Sequence, residues 1–341
     1  MRLRRKLLFA LLPIVALLLL TEIAIRCAYY QKKSGYRLAL FHATDRIARK
    51  VNEVRLSFVL GRDRLERPAD AQKRQADFFN SPAMKLVRDD YFTKYEQAFG
   101  DLARLCKEAD SLLVVMYLPS WKSSREVARS FYKGLTTKYQ IPYLDLTDTF
   151  SSYPETAICL LPRNPHISRF GNQVIAKALL DFLKPYLGHR SSVRHDKRPT
   201  ALGDLRRNHQ SIWNIDPAMP YVVATNSQGL RHSSDLVFPK PKDKTRILCM
   251  GDSFTFGPYL NDLDCYPQIM EQMDGGVEAI NAGIAGYMIC DEYSYFEERG
   301  RFVEPDMVVL QVLDNDLYGF FPYWQKQFCR GGKYCIYPRR R

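Results

Sequence analysis

The chain has 341 residues, of which 46% are hydrophobic and 13% aromatic, and its formal net charge is +13 at pH 7. This composition supplies a sizeable core and excludes wholesale disorder. The cationic residues are scattered or concentrated at the two ends and in one polar stretch, and no nucleic-acid-binding motif accompanies them. We therefore expect no nucleic-acid partner, and anionic lipid headgroups or an acidic polymer fit the charge better.

The first 30 residues have the pattern of a membrane anchor. Four cationic residues within positions 2–6 precede an apolar run from Leu7 to Leu20 that continues through Ile23 to Ile25. Cations before such a run hold that end in the cytoplasm, and about twenty helical residues span a bilayer. A cleaved signal peptide is the alternative, but Arg26 stands where cleavage or lipid attachment needs a small residue. We predict an uncleaved anchor over 1–30 and an extracytoplasmic remainder, in the periplasm or at the cell surface.

The next part of the chain alternates helices with apolar strands. Residues 31–84 are polar and are predicted to form an irregular or helical connection. From Tyr91 onward, apolar residues recur at helical spacing and lead into the apolar run 112–117, a buried strand. Further elements come after it, namely a helix over 123–138, a short strand over 141–146 and an amphipathic helix over 171–185. This alternation predicts a parallel α/β sheet.

The last part of the chain repeats that alternation after a polar interruption. Residues 186–243 are rich in Arg, Ser, Asn and Pro and are predicted to be a linker. The elements predicted beyond it are strands over 246–250, 277–280 and 307–312, with helices near 262–273 and 291–300. The second half is therefore also of the α/β class.

Eight cysteines show neither a CxxC pair nor a spacing suited to zinc, so no structural metal is predicted. Most lie in apolar surroundings and are expected to be small buried side chains. Cys329 and Cys335 bracket a turn-prone stretch and are placed to close a small disulfide loop in an oxidising compartment.

The sharpest motif is Gly251-Asp252-Ser253-Phe254-Thr255-Phe256-Gly257, directly after a predicted buried strand. A turn at the carboxyl edge of a parallel sheet presents a hydroxyl outward and directs backbone N–H groups towards a developing oxyanion. Gly-Asp-Ser alone is common, so the significance of the motif depends on its position and on the residues downstream of it.

Residues 245–318 resemble the first half of an SGNH/GDSL hydrolase in three successive blocks. The Gly-Asp-Ser block is similar to the nucleophile block of that family and implies Ser253 as the nucleophile. The block 281–286 resembles the second, implying that the N–H of Gly286 helps to bind the oxyanion. The block 305–316 resembles the third, which implies that the side chain of Asn315 also helps to bind the oxyanion, together with the N–H of Ser253.

The histidine block of the family is absent after Asn315, but Pro165-His166-Ile167-Ser168-Arg169-Phe170-Gly171 resembles it. The resemblance implies His166 as the catalytic base. The family usually has an aspartate three residues earlier, where this chain has Arg163, so a Ser-His dyad oriented by another group is expected. The remaining histidines lack a supporting pattern and are predicted to be surface imidazoles: His42, His189, His195, His209 and His232.

The order of these blocks implies a circular permutation. Residues 85–185 would supply the second half of one SGNH-like domain, 244–341 the first half, and 186–243 the connection between them. The implied fold is a three-layer, flavodoxin-like α/β domain with a parallel sheet in the order 2-1-3-4-5. The alternative is that the halves are remnants of two separate domains.

The resemblance implies an extracytoplasmic serine esterase that acts on an acyl ester, with no metal or organic cofactor. The ester is expected to belong to a cell-surface glycan or lipid. Two alternatives stay open: a polysaccharide O-acyltransferase that uses the same serine, and a catalytically inactive SGNH-like module that binds a glycan or a protein. Arg163 and the swapped order favour the inactive module, whereas Ser253, Gly286 and Asn315 oppose it.

Overall fold

The computed structural model describes residues 82–119, 125–213 and 215–318. Some predictions concern residues outside these ranges: the anchor over 1–30, the connection over 31–84 except for its last three residues, and the disulfide between Cys329 and Cys335. Within them, no helix is both long and apolar enough to cross a membrane.

The helices and strands follow the predicted alternation, with bounds that differ by a few residues at most places. In chain order they are α1 (Pro82–Glu108), β1 (Leu112–Tyr117), α2 (Arg125–Tyr139), β2 (Tyr143–Asp145), α3 (Thr147–Ser151), α4 (Glu155–Ile158), α5 (Arg169–Leu183), β3 (His209–Trp213), β4 (Tyr221–Thr225), β5 (Thr245–Met250), α6 (Ser253–Phe256), α7 (Tyr266–Met273), β6 (Val277–Asn281), α8 (Ile289–Glu298), β7 (Met307–Val312) and α9 (Asn315–Tyr318). Short 3₁₀ turns occur at Lys184–Tyr186, Asp262–Asp264 and Gly300–Val303.

Both halves of the chain contribute to one parallel sheet, with the strand order β2-β1-β7-β5-β6. If β5 is counted as the first strand, followed by β6, β7, β1 and β2, this order is 2-1-3-4-5 and confirms the prediction. The decisive neighbours are β1 and β7, which pair in parallel from Leu112 opposite Met307 to Tyr117 opposite Val312. This pairing joins strands from opposite halves of the chain, so the halves do not form separate sheets.

Helices cover both faces of the sheet, as the three-layer prediction requires. Successive residues of β1 face opposite layers, because side chains alternate along a strand. Val115 belongs to the core cluster that contains Phe99 of α1 and Phe296 of α8, whereas Val114 belongs to the cluster on the other face, with Leu179 of α5. Burial of each such side chain contributes about 1.5–3 kcal/mol. Strands buried on both faces explain the unbroken apolar runs of β1 and β7.

The five described cysteines are buried, which agrees with their prediction as small core side chains: Cys106, Cys159, Cys249, Cys265 and Cys290.

Residues 186–243 contain more structure than their sequence indicated. Strands β3 and β4 form an antiparallel hairpin, and buried polar contacts attach the segment to the amino end of the sheet. The Asp306 carboxylate accepts hydrogen bonds from the N–H groups of Ser191 (2.8 Å) and Arg246 (2.9 Å) and pairs with Lys240. Because such contacts leave no periodic pattern of apolar residues, the sequence did not reveal them.

Candidate active site

Ser253 follows the carboxyl end of strand β5, which lies between β7 and β6, as predicted. It is the first residue of the four-residue helix α6, and the carboxylate of the preceding Asp252 accepts the N–H of Phe254 at 2.9 Å. The first N–H groups of a helix have no partner within the helix. Among the described residues, no acceptor contacts the N–H of Ser253. The turn therefore presents a half-exposed hydroxyl beside an available donor.

His166 reaches Ser253 although 87 positions separate them in the sequence. Its Nε2 lies 2.9 Å from the Ser253 Oγ, which is hydrogen-bond distance for proton transfer. The loop that carries His166 is fixed on both sides: the Leu160 N–H donates to the His166 carbonyl at 2.9 Å, and the Ser168 side chain caps α5 through Gly171. The predicted contact between the two side chains is thus present.

Asn164 orients the imidazole and was missed by the sequence analysis. Its Oδ1 lies 2.5 Å from the His166 Nδ1 and accepts the His166 backbone N–H at 3.0 Å. Since a backbone N–H only donates, the amide atom that faces it must be the oxygen. The Nδ1 facing the same oxygen therefore carries the proton, and Nε2 is left as the acceptor for the serine hydroxyl. The turn that places Asn164 is of the Asx type, so the Asn-Pro-His sequence did carry a signal.

Arg163 does not contact the imidazole. Its guanidinium pairs at 3.4 Å with Asp216, in the connection between β3 and β4. Both side chains are partly exposed, and such pairs contribute little to stability. Position 163 therefore supplies no partner to the ring, and the neutral amide of Asn164 contacts the His166 Nδ1 in place of a carboxylate.

Burial lowers the pKa of His166 to about 4. The ring packs against Phe254, with centroids 4.9 Å apart, and Tyr259 lies 6.1 Å away. An apolar surrounding disfavours the charged form. Within the described ranges no carboxylate opposes that effect, because the partner of Nδ1 is the neutral Asn164. The imidazole is consequently neutral, and able to accept a proton, well into the acidic range.

Gly286 and Asn315, the two further oxyanion residues implied by the resemblance, follow β6 and β7 at the carboxyl edge of the sheet. Gly286 has φ +84° and an exposed position with no atom within 4 Å of where a Cβ would stand. Its backbone conformation, rather than crowding, therefore favours glycine. The loop before it is tied to the nucleophile turn, because the Ile284 N–H donates to the Gly251 carbonyl at 3.1 Å. Asn315 begins α9 directly after β7, the neighbour of β5; its side chain lies outside the described part of the chain.

Asn281, another residue that the sequence analysis did not single out, joins this loop to α6. Its Nδ2 donates to the Thr255 carbonyl at 3.0 Å, and its Oδ1 accepts the Gly283 N–H at 3.1 Å. A Cβ on Gly283 would stand 2.4 Å from the Phe256 backbone nitrogen. The block 281–286 therefore supports the nucleophile helix as well as presenting Gly286.

No protein-family model matches the chain, and neither does any curated protein. Among solved structures, the chain is similar to the O-acetyltransferase domain of Pseudomonas putida AlgJ, with 13% sequence identity and a TM-score of 0.42. The match covers 68% of this chain and 85% of that one. A likeness of this size carries no weight for activity, which has to be inferred from the site itself.

Buried carboxyl groups lie close to the nucleophile turn. Asp252, Glu292 and Asp316 are each at most 6% exposed. Burial raises the pKa of Glu292 well above its usual range, and the charges of Asp316 and Asp252 raise it further. Burial and the charge of Asp252 likewise raise the pKa of Asp316. Each of these buried carboxyl groups thus makes ionisation of its neighbours less favourable.

The other histidines are not all surface groups. The prediction was wrong for His232, which is 6% exposed and lies 3.2 Å from the Glu271 carboxylate through Nε2. Burial lowers its pKa, but the hydrogen bond and charge of Glu271 outweigh that effect, and the net shift is upward. His189, His195 and His209 are half-buried.

Across the described ranges, no three His, Cys, Asp or Glu side chains are grouped to hold a metal ion.

Proposed function

We propose that this chain is a serine enzyme of the SGNH/GDSL type that acts on an acyl ester through a covalent intermediate on Ser253. The observation that supports it most directly is the 2.9 Å contact between the Ser253 Oγ and the His166 Nε2, in a ring whose other nitrogen is held by Asn164. A nucleophile, a base and a group that orients the base form the arrangement that nucleophilic catalysis requires.

In the proposed reaction, the Ser253 Oγ attacks the carbonyl carbon of the ester while the His166 Nε2 takes the hydroxyl proton. The carbonyl oxygen becomes an oxyanion that the N–H groups of Ser253 and Gly286 and the side chain of Asn315 bind. The C–O bond to the alcohol then breaks, and the proton on Nε2 passes to the leaving oxygen. Water attacks the acyl-serine in the same manner, which releases the carboxylic acid and restores the hydroxyl.

Acyl transfer to a hydroxyl other than that of water is the second candidate. Aromatic rings extend from the base to the β3–β4 hairpin: Tyr259 lies 6.1 Å from His166, Tyr221 5.7 Å from Tyr259, and Trp213 5.9 Å from Tyr221. Tyr221 is buried, whereas the half-exposed rings of Tyr259 and Trp213 offer a contact surface to an organic acceptor, such as a glycan, that water does not use. Incubation of the protein with an activated ester and a polysaccharide separates the two outcomes, because transfer yields acylated polysaccharide and hydrolysis yields free acid.

The swapped order of the halves is part of this proposal. A circular permutation of an SGNH-like domain accounts for 85–185 as its second half, 244–341 as its first and 186–243 as the new connection. The single five-stranded sheet supports it, and the alternative of two separate domain remnants does not explain why β1 pairs with β7.

Labelling with a fluorophosphonate tests the assignment of an activated serine. We expect the full chain to be labelled on the peptide that contains Ser253, because the probe reacts with a serine whose proton is removed by a base. Heat-denatured protein is the control for non-specific labelling. A folded wild-type chain that is neither labelled nor able to turn over esters contradicts the enzymatic proposal and favours a binding module.

We also propose that residues 1–30 anchor the protein and that the enzyme acts outside the cytoplasm. The expected result is that the full chain stays with the membrane fraction after washing with high salt and with carbonate, because a spanning helix is held by apolar burial rather than by charge. Recovery of a soluble chain that begins near residue 28 would show that the segment is a cleaved signal.

A further inference from the structure

Arg231, in the segment that joins the two halves, is fully buried beside the nucleophile helix. Its Nη1 donates to the carbonyls of Phe256 (2.5 Å) and Gly257 (3.0 Å), and its Nη2 donates to the Leu260 carbonyl (2.7 Å). Its Nε donates to the Asp262 carboxylate at 2.5 Å. The guanidinium also lies over the Phe256 ring, 4.7 Å from the centroid.

These acceptors belong to the part of the chain that sets the position of Ser253. Phe256 is the last residue of the helix that Ser253 begins, and a helix of four residues has little stability of its own. The backbone then turns through Gly257 (φ +78°) and Tyr259 (φ +66°), and the latter conformation is costly for a residue with a Cβ. The Tyr259 ring forms one side of the surroundings of His166. The carbonyls bound by Arg231 therefore connect the nucleophile with the wall beside its base.

We infer that Arg231 is a positioning residue, which holds α6 and the loop after it so that the Ser253 Oγ stays within reach of the His166 Nε2. The planar fork of arginine binds four carbonyls, the fourth being that of Val222 at 3.4 Å, and a carboxylate at once, which the single ammonium of lysine does not reproduce. This inference rests on the proposed function, and it gives residues 186–243 a part in catalysis besides connecting the halves.

Arg246 supplies a matched control, since it has the same kind of surroundings at the opposite end of β5. It is also fully buried, and it donates to the carbonyls of Val303 (2.8 Å) and Val237 (2.9 Å) and to the Glu278 carboxylate (2.6 Å). Its guanidinium lies over Phe238 at 4.9 Å. A purely structural effect of losing a buried guanidinium should therefore appear in both positions.

The test measures fluorophosphonate labelling and ester turnover per folded molecule in the full chain for Arg231→Lys and Arg246→Lys. For Arg231→Lys we expect labelling rate and kcat to fall about 100-fold with KM changed little, because a displacement of about 1 Å in a catalytic group costs that much. For Arg246→Lys we expect the labelling rate and kcat per folded molecule to equal those of the wild type. For Arg231→Ala we expect partial recovery of labelling when guanidinium ion is added at millimolar concentration.

An equal loss in both lysine variants, or wild-type labelling by Arg231→Lys, would overturn the inference. If Arg231 variants do not fold, Asp262→Asn takes their place, since it weakens the pairing of Arg231 without leaving a cavity. Reduced kcat at unchanged KM in Asp262→Asn supports the inference, and a wild-type labelling rate refutes it. A wild-type chain that is not labelled refutes the proposed function instead, so the two failures are distinguishable.

Discussion

Ser253→Ala should abolish turnover of a short-chain activated ester while the protein keeps its fold. Removal of a serine nucleophile lowers kcat by about 10⁴-fold or more, because no other group forms the acyl intermediate. The hydroxyl is half-exposed, and its described side-chain contact is with His166, so the free energy of unfolding should change by no more than about 1 kcal/mol. Initial rates of hydrolysis and a thermal denaturation curve measure the two quantities.

Ser151→Ala is the control for this variant, because that residue is exposed and, among the described residues, its hydroxyl bonds only to the Asp148 carbonyl nearby in the chain. It should retain wild-type turnover and stability. Equal turnover by Ser253→Ala and the wild type would mean that Ser253 is not the nucleophile, and an unfolded Ser253→Ala chain would mean that the residue has a structural role.

The elements that the sequence predicted best are those whose burial leaves a pattern in it. Strands β1 and β7 lie at 112–117 and 307–312, as predicted, because strands covered on both faces have unbroken apolar runs. The neighbours of a strand leave no such pattern. The pairing of β1 with β7 could be predicted only through the resemblance of the separate blocks to the two halves of one family.

Within the site, too, residues that belong to sequence motifs could be predicted, whereas residues that act through tertiary contacts could not. Ser253 and His166 belong to motifs and could be predicted from them, and the structure places them in contact. Asn281 and Arg231 act through hydrogen bonds to loops, where neither periodicity nor a spacing rule indicates a partner, and Asn164 left only the local turn signal of Asn-Pro-His. Arg231 also lies in a segment that the sequence indicated only as a linker, so its contact with α6 depends on tertiary structure alone.

Because Asn164, the partner of the His166 Nδ1, is neutral, turnover should persist at acidic pH. With the pKa of His166 at about 4, the imidazole is neutral above that pH, so wild-type turnover should stay level from neutral pH down to about pH 5 and fall below it. Asn164→Asp places a carboxylate beside the Nδ1–H and stabilises the imidazolium, which raises the pKa of His166. The acidic limb of the kcat/KM profile should then move upward by about 1–3 pH units.

Asn164→Asp should also raise the turnover plateau at neutral pH by about tenfold or more, because the carboxylate stabilises the imidazolium that forms in the transition state. Asn164→Ala should lower the plateau about 100-fold, since the ring loses the acceptor that sets its tautomer. Asn208→Asp adds the same charge at an exposed position and should leave the profile unchanged. If Asn164→Asp and Asn208→Asp have the same acidic limb as the wild type, the group that titrates is not His166, and the assignment of the base is wrong.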